Sequence, residues 1–101
     1  MTYRDIFGNQ VELTEERWRH IITQHPQVGL YRERFGEVLA APTYVKRSRR
    51  DEDVLLYYRE YTDLVGGNYL LVVVRIGQRS FILTSYLTDR VRRGEMLWEI
   101  H

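Results

Sequence analysis

Two histidines, His20 and His25, a set of cations comprising Lys46, Arg49, Arg50 and Arg59, and the hydroxyl side chains Tyr57, Tyr69, Thr84 and Tyr86 are the residues of this chain whose types could do chemistry together. Cleavage of RNA by its own ribose 2′-OH would use such a set. That reaction needs a base for the 2′-OH, cations for the charge that builds on the phosphorus oxygens, and an acid for the departing 5′-oxygen. Each residue also has a plainer role. His20 lies on the polar side of a helix near Arg17 and Gln24 and reads equally as a solvated surface residue; His25 reads as a helix-terminating residue. Tyrosine is a good strand former that keeps its hydroxyl in water. The Arg47, Arg49 and Arg50 run beside Asp51-Glu52-Asp53 is a self-neutralising turn or a phosphate rail.

Other chemistries have less support. His20 and His25 are five residues apart, not the four that places two ligands on one helical face, and the remaining histidine is the terminal His101. With no cysteine there is no thiolate site or disulfide framework, so neither metal nor cofactor is expected. Gly66-Gly67 has no helix after it to make a phosphate loop, and Ser80 and Ser85 have no histidine near in sequence to make a nucleophilic triad.

The 101 residues form one domain, long enough to bury about two-thirds of the unfolded surface. No apolar run approaches the ~18 residues of a membrane span, so a soluble, cytoplasmic chain is expected. Fourteen of the fifteen cations are arginine, clustered at Lys46 to Arg50 and at Arg90, Arg92 and Arg93. Arginine forks phosphate and stacks on bases, which suggests nucleic acid, although the pI of 8.1 is below that of a dedicated binder.

The elements that must position these groups follow from periodicity. Residues 68–87 read as two strands joined by Gly77-Gln78 in a type II′ turn, which needs φ > 0 at the glycine. In that register Val74 faces Phe81, Leu71 faces Thr84 and Tyr69 faces Tyr86. Residues 43–49 and 54–61 read as two more strands around a tight acidic tip, with Lys46 opposite Tyr57 and Tyr44 opposite Arg59. Val54, Leu56 and Tyr58 would then face the core. Upstream, residues 5–13 read as a small hairpin and about 15–24 as a helix capped by Thr14. Leu30, Tyr31, Phe35, Val38 and Leu39 mark a second helix, and Thr88 can cap a helical turn over 89–93. The expected fold is α+β: two N-terminal helices on one face of a four-stranded antiparallel meander, with Lys46, Tyr57, Arg59, Thr84 and Tyr86 sharing the uncovered face.

The strings RWRHIITQHP, RSRRDEDVLLYYR and TSYLTDRVRRGEMLWE resemble the phage-associated branch of the superfamily that groups barnase, EndoU, tRNA-cutting colicins and RelE-type toxins. The resemblance spans about Val11 to Glu99. It implies a two-helix-then-meander nuclease domain and metal-independent endoribonuclease activity. Carried over residue by residue, it places His20, His25, the basic residues of the second string, Thr84 and Tyr86 in the site. RNA is the implied substrate and an antitoxin or immunity-type protein an implied partner, the chain being a monomer or homodimer that acts in the cytoplasm or after delivery into another cell. The rival reading is a binding module on the same fold, holding RNA or protein without chemistry. An apolar middle of the uncovered face, Leu55, Leu71, Val73 and Ile82, would favour it.

Overall fold

The computed structural model describes residues 1–100; His101, the third histidine weighed above, lies outside the described residues. Thr14 starts the first helix as its type dictates. Its hydroxyl oxygen accepts the Arg17 N–H at 3.1 Å, Glu15 and Glu16 load the first turn with negative charge, and α1 covers Glu15–Gln24. Pro26 stops it, and the His25 N–H closes the last turn on the Ile21 carbonyl at 2.7 Å. The expected second helix divides in two. Pro26–Arg34 winds as a 3-10 helix and only Phe35–Ala40, α2, is α-helical. Three residues per turn shift the apolar stripe, so Tyr31, Phe35, Val38 and Leu39 are buried while Leu30 is exposed.

The expected four-stranded antiparallel arrangement is overturned by a seven-stranded, mixed and curled sheet in the order β1-β2-β6-β5-β4-β3-β7. Its strands are β1 Thr2–Arg4, β2 Gln10–Glu12, β3 Tyr44–Arg47, β4 Val54–Glu60, β5 Tyr69–Arg75, β6 Ser80–Thr88 and β7 Met96–Glu99. Two additions make the difference. The N-terminal hairpin joins the sheet through a parallel pairing of Val11 and Glu12 with Ser80 and Phe81. Its turn is closed by the Asp5 carboxylate, which accepts the N–H groups of Phe7 and Asn9 and the Asn9 side-chain amide.

At the other end the chain after β6 crosses the sheet and returns as β7 beside β3. On a flat sheet Thr88 and Met96 would stand about 23 Å apart, four strand spacings across and four residues along. Extended chain from 88 to 96 reaches about 26 Å, whereas a helical turn over 89–93 would cut the reach to about 17 Å. Residues 89–95 form an extended strap without the expected helical turn, as such a crossing favours.

Two registers differ from expectation, and each moves side chains between faces. At the acidic tip Ser48 N–H bonds the Val54 carbonyl, so the turn holds residues 49–53, one more than a tight tip would. Tyr44 consequently opposes Tyr58, and Lys46 opposes Leu56. At the other hairpin Gly77 has no positive φ, and Ile76 N–H bonds the Asp53 carbonyl at 2.8 Å instead of pairing with β6. The type II′ turn is absent. Arg75 opposes Phe81, and a bulge between Val73 and Val74 adds a second shift, so Val73 opposes Thr84 and Leu71 opposes Tyr86.

The first face of the sheet packs Val45, Leu55, Tyr57, Leu70, Val72, Val74 and Ile82 against the helices. The second buries Val54, Leu56, Tyr58, Leu71 and Val73, with Tyr44, Tyr69, Leu83, Tyr86 and Val91 packed around them.

Candidate functional site

Pairing across the second face sets its side chains in rows. One row reads Lys46, Leu56, Val73, Thr84; the next reads Tyr44, Tyr58, Leu71, Tyr86. Tyr69, on β5 between Glu60 and Thr88, completes an aromatic group in which its ring lies 6.1 Å from those of Tyr44 and Tyr58. Burial pushes the Tyr58 and Tyr69 hydroxyls up from their usual range.

The strap lies over this face and is held at three points. Asp89 accepts the Asn68 N–H at 3.0 Å; the Arg92 N–H donates to the Tyr58 hydroxyl at 3.0 Å; Glu95 pairs with Arg47 through its carbonyl at 2.9 Å and its carboxylate at 3.0 Å. Gly94 passes so close to β3 that a Cβ there would stand 2.3 Å from the Arg47 carbonyl oxygen. Only glycine fits.

Between strap and sheet opens a recess of about 500 Å³ lined by Tyr86, Thr88 and Arg90 to Arg93. Arg90, Arg92 and Arg93 are exposed, and among the described residues none has a carboxylate within ion-pair distance; Arg32, Arg34, Arg47, Arg59 and Arg75 each do. His25, placed by the end of α1, stacks on Tyr86 with ring centroids 5.1 Å apart and planes at 32°. Arg17 holds α1 to β6 by donating to the Leu83 carbonyl at 3.4 Å. The recess thus joins a phenol, the Thr88 hydroxyl and three guanidiniums free of ion pairs, with the His25 imidazole against the Tyr86 ring and Thr84 further along the same strand face. Three unpaired guanidiniums on one short strap suit an anion.

Of the expected residues, the structure brings His25, Thr84 and Tyr86 to this corner, with Tyr69 on the same face. Lys46 shares the face but stands three strands from Thr84, about 14 Å on a flat sheet. His20 is elsewhere, lining a polar recess with Thr14, Glu16 and Arg17. Arg49 and Arg50 are exposed at the β3–β4 tip.

Tyr57 and Arg59 are corrections. The register shift turns both toward the helices. Tyr57 is fully buried, its hydroxyl donating to the Asp5 carboxylate, and burial with that carboxylate beside it pushes its ionisation far up. Arg59 donates to the Ala41 carbonyl, and its Nε lies 3.3 Å from the Glu37 carboxylate, an ion pair without hydrogen-bond alignment. Neither reaches the recess. Leu55 and Ile82 also face the helices, and Leu71 is buried, so the second face lacks the open apolar middle that the binding-module reading needs.

Arg90, Arg92, Arg93, Thr88 and Tyr58 were not among the expected site residues. The signal for the arginines was their clustering just after a strand that ends in Thr84 and Tyr86. Among the described residues no cluster of three or more His, Asp or Glu could hold a metal, and no helix is long and apolar enough to cross a membrane. The chain matches no protein-family model, no curated protein and no solved structure.

Proposed function

We propose that the recess is the active site of a metal-independent endoribonuclease acting through the ribose 2′-OH. The observation that carries this reading is the stacking of His25 on Tyr86 beside three unpaired arginines. His25 takes the proton of the 2′-OH, whose oxygen attacks the adjacent phosphorus; the bond from phosphorus to O5′ breaks, leaving a 2′,3′-cyclic phosphate. The Tyr86 hydroxyl gives a proton to O5′, with Thr84 orienting the phosphate, and exchange with water then takes the proton from His25 and restores the Tyr86 hydroxyl. Arg90, Arg92 and Arg93 offset the charge on its oxygens. A recess roofed by a strap suits single-stranded RNA, whose bases are free to splay out. The chain works in the cytoplasm or after delivery into another cell, held in check by an antitoxin-type protein.

The test is incubation of purified protein with single-stranded RNA in excess EDTA. Cleavage that persists on chelation and leaves 2′,3′-cyclic phosphate ends supports the reading. No cleavage, or cleavage abolished by EDTA, overturns it.

A further inference from the structure

We infer that Tyr58 is a positioning residue that fixes the strap's arginines through its hydroxyl. The inference rests on the phosphate-holding role proposed above for those arginines. The strap's outer anchors, Asp89 and Glu95, are bonded to Asn68, just before β5, and to Arg47 on β3. Between Val91 and Gly94, the hydrogen bond from the Arg92 N–H to Tyr58 is the one that ties strap to sheet among the described residues.

Tyr58 is suited to serve as a fixed post. Its ring is fully buried among Val54, Leu56, Leu71 and Val73 and meets Tyr69 edge-on, at 85°. Such packing holds the side chain to one arrangement on the time average, so the hydroxyl keeps one position over the sheet. Val91 packs on the same cluster and turns its neighbours Arg90 and Arg92 toward solvent at the recess. An extended strap with slack at its centre would let the arginines wander. One bond at its middle removes that freedom.

Tyr58→Phe removes the acceptor and keeps the packing. Three measurements are needed: amide hydrogen exchange, affinity for a single-stranded oligonucleotide with 2′-deoxy substitutions that block cleavage, and kcat and KM on cleavable RNA. Amides 91–93 are expected to exchange about tenfold faster in the variant while those of β4 and β5 are unchanged, the loss of one neutral hydrogen bond being of that order. Affinity for the uncleavable strand is expected to fall about five- to tenfold and KM to rise to match, with kcat falling by about the same factor because the same arginines offset the charge that builds at phosphorus.

Gly94→Ala approaches from the other end, since its methyl would push the strap off the Arg47 carbonyl. It should reproduce the affinity loss with Tyr58 intact. Unchanged exchange at 91–93 in Tyr58→Phe overturns the inference, as does faster exchange with unchanged affinity. A Tyr58→Phe defect that Gly94→Ala does not share also overturns it, because the effect would not pass through the strap. A parent protein that neither binds nor cuts RNA sinks the ribonuclease reading, and strap exchange then decides the Tyr58 bond by itself.

Discussion

Tyr57 and Tyr58 are neighbours on one strand, both fully buried, and serve opposite faces of the sheet. On the first face the Tyr57 hydroxyl closes a polar network that Asp5 already shares with Phe7 and Asn9. Each donor of that network is spent on the Asp5 carboxylate. On the second face the Tyr58 hydroxyl accepts from a strap whose arginines remain unspent. A buried network that closes on its own carboxylate can only hold the fold; a surface that leaves cations unpaired beside an imidazole has something to offer a ligand.

The sharpest way to break this contrast is at His25. Replacing it by alanine is expected to lower the rate of RNA cleavage by about 10²- to 10⁴-fold, the range of a general acid or base, with little change in thermal midpoint. Activity equal to the parent's would empty the second face of its proposed role. On the first face, Leu70→Ala should cost about 2–5 kcal/mol in urea unfolding, because Leu70 lies wholly inside the helix-packed core. Activity per folded molecule should not move.

Tyr57→Phe should cost about 1–3 kcal/mol at neutral pH by taking a donor from the Asp5 carboxylate. Its effect should also depend on pH. Folding raises the Tyr57 pKa, so the stability it contributes is whole below the unfolded value, about 10, and drains away as the pH climbs above that. The gap between parent and Tyr57→Phe, read from unfolding curves at pH 8 and pH 11, should therefore narrow. A gap that widens would show that the phenol is not held protonated by the fold.

The smallest effect is electrostatic. Arg93→Gln should flatten the slope of log affinity against log salt by about 0.7 for single-stranded RNA, one phosphate contact's worth. His20→Gln, in its separate recess, should leave slope and rate alone.

In the first half only α1 was fully legible from residue types; the first strand lies at Thr2–Arg4 rather than after Asp5, whose carboxylate closes the turn instead, and the second helix winds mostly as 3-10. Thr14, the glutamates after it and Pro26 bound α1 by local chemistry alone. The sheet was less legible because its two decisive hairpins turn on single residues. Whether the acidic tip holds 50–53 or 49–53 depends on which backbone groups Ser48 and Asp51 capture, and that choice alone exchanged Tyr57 with Tyr58. Thr84 and Tyr86 kept their face only because two shifts, one at Gly77 and one at the bulge, cancel in parity. The strap was hidden for another reason. Its path depends on where β7 docks, a long-range pairing that no local pattern in residues 89–95 records.

That docking also sets an order of assembly. β7 lies against β3, far back in the chain, and the strap can cross only a face already formed by β4, β5 and β6. Closing so long a loop gains nothing until the strands beneath it are paired. A chain whose β7 has not yet docked on β3 has α1, His25 and Tyr86 in place but no strap drawn across them to hold the arginines. On the ribonuclease reading proposed above, such a chain would cut no RNA until that docking is complete.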